Sequence, residues 1–152
     1  MNKAFVREPD NVEPLCPKCG GVGERVPVET LHALVPATAR RTAERSSYFC
    51  HTPNCDVAYY DDLEQLILAA ELVRPVYPKD TRAPVCPCFG LTEDDIDDDV
   101  FDGVPRRIRE LVAKTKSPAA RCGELSPTGR CCLTEVQRLY FRRKAEFDSR
   151  RT

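Results

Sequence analysis

The 152-residue sequence has no tryptophan, one methionine and seven glycines. Charge of neither sign dominates, since 23 Lys and Arg oppose 24 Asp and Glu for a formal net charge of −1. A nucleic-acid partner needs a basic face to neutralise phosphates, and this balance gives it no support. Long apolar runs are missing too: the longest, Leu66 to Ala70, is far too short to span a bilayer. The opening residues, Met1-Asn-Lys-Ala-Phe-Val-Arg-Glu8, lack the apolar stretch of an export signal, so neither secretion nor a membrane partner is expected. Hydrophobic residues make up only 41% and thirteen prolines interrupt the chain. One large apolar core is not expected, and smaller lobes need another staple.

Cysteine is what the sequence has in abundance. There are nine, an odd number. Without an export signal, such thiols bind metal in a reducing compartment rather than pair as disulfides, which predicts a cytoplasmic metal-thiolate protein. Cys16, Cys19, Cys50 and Cys55 form one group; Cys86, Cys88, Cys122, Cys131 and Cys132 form another. Between them the segment from Pro75 to Pro84, rich in proline and polar residues, reads as a connector. The expected architecture is α+β: a zinc-bound β lobe over 1–79, then a helical cluster lobe over 80–152.

The patterning supports that division. The segments from Glu24 to Leu31, Ser47 to Cys50 and Val57 to Tyr60 read as strands. Leu63 to Tyr77 is divided between helical spacing at its start and extended character at its end. In the second half, Thr92 with Asp95 marks a helix start, Pro105 opens another, and Thr134 with Gln137 reads as a capping box for a third.

Cys16-Pro-Lys-Cys19-Gly20 has the form of a zinc knuckle, and Cys50 and Cys55 supply a second pair. Four thiolates complete a tetrahedral zinc with no open position, so the site is expected to be structural. A redox C-x-x-C is the competing reading, but no βαβ pattern surrounds it. His32 and His51 read as ordinary polar residues. The second group differs, because Cys86 and Cys88 are separated by a single residue. That spacing is uncommon for structural zinc and suits a [2Fe–2S] cluster; spacing alone does not choose between Cys131 and Cys132.

These residues carry a resemblance. Val85-Cys86-Pro-Cys88-Phe89 resembles the start of bacterioferritin-associated-ferredoxin-like domains, and the run from residue 14 to 140 resembles the N-terminal metal-cluster domain of the long CopZ-type copper chaperones. That family has C-x2-C, C-x4-C, C-x-C, then a cysteine followed by Asn-Pro-Ser-Gly-Arg-Cys-Cys. Here the last element reads Ser126-Pro-Thr-Gly-Arg-Cys131-Cys132, after Cys122. The resemblance implies zinc at Cys16, Cys19, Cys50 and Cys55, and a [2Fe–2S] cluster at Cys86, Cys88, Cys122 and Cys132. The family's Cu(I)-binding heavy-metal-associated domain has no counterpart in the twenty residues after Cys132, so copper delivery by this chain itself is not expected.

An acidic block runs from Glu93 to Asp102, and the C-terminus is basic. Ordinary helix-end electrostatics accounts for the first, and a solvated helix end for the second. Arg106, Arg107, Arg121 and Arg130 are candidates to offset cluster charge. No catalytic base, nucleotide loop or open metal position stands out, so an enzyme is not the favoured reading. The expected function is one-electron transfer to a metal ion or redox partner protein in metal homeostasis. A non-redox zinc scaffold, or a cluster carrier or sensor, is the alternative.

Overall fold

The computed structural model describes residues 14–39 and 46–151; the segment Met1–Glu8, read above for an export signal, lies outside them. Strands β1 (Glu24–Val26), β2 (Ser47–Phe49), β3 (Val57–Asp61) and β4 (Leu66–Leu68) form an antiparallel sheet in chain order. Phe49 faces Glu24 on one side and Tyr59 on the other, which fixes the register across three strands. β3 is buried along its whole length. One face of the sheet packs Val26, Phe49, Tyr59 and Ile67 against helix α1 (Val28–Leu34), which buries Leu31 and Leu34.

The expected strand from Glu24 to Leu31 ends early. Pro27 has no N–H for the ladder and stands in the N-cap position of α1 with an extended backbone. The short alternation around Val26 and Val28 hid a helix whose buried residues are Thr30, Leu31 and Leu34. The divided stretch after Leu63 resolves as β4 and a 3₁₀ turn at Ala69–Glu71, where the Glu71 carboxylate accepts the Leu68 N–H at 2.7 Å.

Four helices follow: α2 (Glu93–Asp102), α3 (Arg106–Thr115), α4 (Cys122–Leu125) and α5 (Leu133–Arg151). Thr92 caps α2 as expected: its hydroxyl accepts the Asp95 N–H, and the Asp95 carboxylate accepts the Thr92 N–H at 3.0 Å. The third expected helix begins at Leu133, so Thr134 lies inside its first turn and is not its cap. Cys132 takes the preceding position, and its carbonyl accepts the Val136 N–H at 2.9 Å. The four-residue α4 has no counterpart among the expected elements. Ile96, Val100, Leu111, Val136 and Leu139 close a second core that includes Cys86 and Cys132. No described helix is long and apolar enough to cross a membrane.

The acidic block is largely consumed by this helical packing. Asp97 and Glu93 meet Arg143 of α5, and Asp102 meets Arg106 and Arg107. Asp99, fully buried, accepts the Arg107 and Ile108 N–H groups at 3.3 and 3.0 Å and so caps α3 from the neighbouring helix. Pro105 has no side-chain acceptor of its own to offer there. Asp99→Ala leaves both N–H groups without an acceptor and is expected to cost about 2–3 kcal/mol, read as a lower urea midpoint.

Candidate metal centres

The first centre is built at one end of the sheet. Cys16 and Cys19 lie on a tight loop closed by the bridge between Leu15 and Val22. Within it the Cys16 N–H donates to the Gly21 carbonyl and the Gly20 N–H to the Cys16 carbonyl, both at 2.8 Å. Gly20 takes the left-handed conformation this turn requires, with φ of 74°. Cys50 follows β2 and Cys55 precedes β3. The Cys50 N–H is held by the Ala58 carbonyl at 2.9 Å, and Lys79 reaches over to donate to the Thr52 and Cys55 carbonyls at 2.7 and 3.1 Å. The four Sγ atoms all lie within 4.8 Å of one another. Cys16–Cys55 and Cys19–Cys50 stand 3.9 and 3.6 Å apart. A tetrahedron of Zn–S bonds of about 2.3 Å has edges of roughly 3.8 Å, so this donor set fits zinc.

The second cysteine group begins with a loop of the same design. The Cys86 N–H donates to the Leu91 carbonyl at 3.1 Å, the Gly90 N–H to the Cys86 carbonyl at 2.8 Å, and Gly90 has φ of 75°. In Cys16-Pro-Lys-Cys19-Gly20 the second sulfur comes three residues after the first; in Cys86-Pro-Cys88-Phe-Gly90 it comes two after. The frame is kept and one sulfur is moved. Cys88 Sγ lies 3.7 Å from Cys122 Sγ, Cys86 neighbours Cys132, and Cys131 neighbours Cys122. Cys86 and Cys132 are buried, Cys88 and Cys122 half-buried and Cys131 exposed. Among the described residues, no three potential ligand atoms here gather within 4.8 Å as the first group does.

Comparison with known proteins agrees with the first centre. A family described as a zinc binding domain, of CopZ type, matches residues 13–74. The chain carries a CopZ-type zinc-binding domain. It is 28% identical over 128 residues to the copper chaperone CopZ of Archaeoglobus fulgidus, covering 83% of this chain and 61% of that protein. The X-ray structure of the CopZ N-terminal domain from the same organism superposes with a TM-score of 0.67 at 26% identity, covering 83% of this chain and 97% of that one. This chain is a homologue of that N-terminal domain.

In the CopZ-type site the thiols differ in proton affinity before metal arrives. Burial pushes Cys55 up to about 12 and raises Cys16. Cys19 is drawn down to about 6, chiefly by the Thr52 hydroxyl 3.2 Å away and then by the Gly21 N–H. In the second group Cys86 and Cys132 are neighbours whose proton affinities are driven apart. Their contact holds Cys86 down to about 6 and Cys132 above the ordinary thiol range, and burial raises Cys122 to about 12.

The four arginines picked out from the sequence are paired with carboxylates: Arg106 and Arg107 with α2, Arg121 with Glu124, and Arg130 with Glu24. His51 lies 3.5 Å from Glu24, and His32 is a residue of α1. A cleft of about 520 Å³ runs between the two halves past Phe49, His51, Tyr77 and Arg138 to Cys131 and Cys132. Sequence spacing carries no sign of it, because its walls come from segments far apart in the chain.

Zinc takes thiolates, so binding expels the protons that Cys16 and Cys55 hold at neutral pH. Affinity is therefore expected to fall as pH drops from about 8 to about 6, with proton release measurable in weakly buffered titrations. Stripping zinc by a strong chelator removes a contribution on the order of 10 kcal/mol and is expected to abolish the near-ultraviolet circular dichroism of the sheet tyrosines.

Proposed function

We propose that this chain is a zinc- and [2Fe–2S]-containing electron-transfer protein of metal homeostasis, with the cluster held by Cys86, Cys88, Cys122 and Cys132. The observation that carries the reading is the spread of the second set of thiols. Cys88 Sγ stands 3.7 Å from Cys122 Sγ, Cys86 neighbours Cys132, Cys131 neighbours Cys122, and no single tight set forms among these described residues. A single zinc needs all its ligands on one tetrahedron, as in the first centre. A flat two-iron unit takes two thiolates at each iron and keeps the pairs apart. Cys131, exposed beside Cys122 and Cys132, is the thiol left over.

A bound cluster supplies one-electron transfer. The protein's contribution is burial and access. Cys86 and Cys132 sit in the helical core, while the cleft opens on Cys131 and Cys132 and gives a redox partner or metal ion an approach to a ligand sulfur. Copper enters through the relative named a copper chaperone, of whose length this chain spans 61%. A reducing cytoplasmic setting suits nine free thiols.

Protein purified without oxygen is expected to be red-brown, with about one zinc, two irons and two acid-labile sulfides per chain and an EPR signal on dithionite reduction. Cys132→Ala should strip the cluster, whereas Cys131→Ala should keep the iron content and visible spectrum. Colourless protein with zinc in both centres and no sulfide would instead support a zinc scaffold. Loss of cluster in Cys131→Ala alone would reverse the assignment of that ligand.

A further inference from the structure

The loop that carries Cys122, Cys131 and Cys132 is seated on the zinc-bearing half of the molecule. Its only helix, α4, has four residues, well below the length at which a helix holds itself together in water. Three side chains from the first half grip its backbone. The buried Thr30 hydroxyl of α1 donates to the Gly123 carbonyl at 2.8 Å. The Tyr59 hydroxyl of β3 donates to the Pro127 carbonyl at 2.5 Å. The Arg74 guanidinium donates to the Glu124 and Leu125 carbonyls at 3.2 and 3.5 Å, at the C-terminal end of α4. Packing adds a fourth contact: a Cβ on Gly129 would come within 2.4 Å of the Thr30 hydroxyl and 2.9 Å of Pro27, at a backbone φ of 74°.

Two of these side chains connect to the zinc-bearing sheet through backbone and ladder contacts. Tyr59 follows Ala58, whose carbonyl holds the Cys50 N–H, and Phe49, the residue before Cys50, pairs with Tyr59 across the sheet. Thr30 stands on the helix that Pro27 starts directly after β1.

We propose that Thr30, Tyr59 and Arg74 are positioning residues for the second cysteine set, so that the zinc-bearing sheet acts as the template on which Cys122 and Cys132 are held ready to bind metal. The seating concerns the thiols themselves; its spectroscopic consequence rests on the cluster reading above.

The test uses full-length Tyr59→Phe/Thr30→Val and, should that double variant fail to fold, Arg74→Gln. In zinc-loaded, iron-free protein, alkylation of Cys122 and Cys132 by iodoacetamide is mapped by mass spectrometry. Loss of two neutral hydrogen bonds is expected to speed it about 5- to 30-fold, with Cys50 and Cys55 labelling and the zinc content unchanged. Thr30→Ser keeps the hydroxyl and should label as the wild type does. So should Tyr48→Phe, whose lost hydrogen bond goes to Asp62 and not to the loop. In protein purified with iron, the double variant should lose its visible absorption to a chelator faster and shift its EPR g-values. Wild-type labelling in the double variant overturns the proposal. So does equal acceleration at Cys50 and Cys55, which would mark general loosening. Faster labelling of Cys122 and Cys132 in the double variant, together with a wild type that takes up no iron, supports the seating and counts only against the cluster.

Discussion

Four thiolates converging on one zinc are the constraint on which the sheet depends. Three of its four strands are three residues long, too short to bury much side-chain area, and β3 alone is buried throughout. Cys16, Cys50 and Cys55 are themselves core residues, packed with Val57 and Tyr60. Metal and hydrophobic core are thus one object here. The zinc ties the loop before β1 to the ends of β2 and β3, and the aromatic face of the sheet then has a fixed surface on which α1 packs. A small lobe gains from such a cross-link what a larger domain gains from apolar area.

The second centre varies the first. Both open with a Cys-Pro loop closed by the same pair of backbone hydrogen bonds and ended by a left-handed glycine. In the second loop one sulfur stands a single position nearer the first. In the first loop both sulfurs join one tetrahedral set; in the second each pairs with a different distant cysteine. Cys132, the last residue before α5, is drawn into the helical core beside Cys86.

Features encoded by neighbouring residues were readable from the sequence. The reciprocal Thr92 and Asp95 cap, strands β2 and β3, and the Cys16–Cys19 turn with its left-handed glycine each depend on a few adjacent positions. A local pattern misleads where it has two meanings. Valines at 26 and 28 alternate like a strand, but the proline between them decides for a helix. Thr134 and Gln137 have capping-box spacing, yet the helix begins at Leu133. What no local pattern announces is tertiary: Asp99 capping the next helix, α4 held by Thr30 and Arg74, and the cleft that reaches Cys131. The acidic block also changed meaning once partners were in place, since Asp95, Asp97, Asp99 and Asp102 are engaged in caps and ion pairs.

X-ray absorption at the zinc and iron edges of the intact protein, purified without oxygen, tests most directly whether the two sulfur sets hold different metals. The account predicts a zinc edge with four sulfur neighbours at about 2.3 Å and no metal neighbour. It predicts an iron edge whose sulfur shell is followed by a second iron, as a two-iron unit requires. Two equivalent zinc–sulfur shells with no iron edge, or a single iron without an iron neighbour, would contradict it.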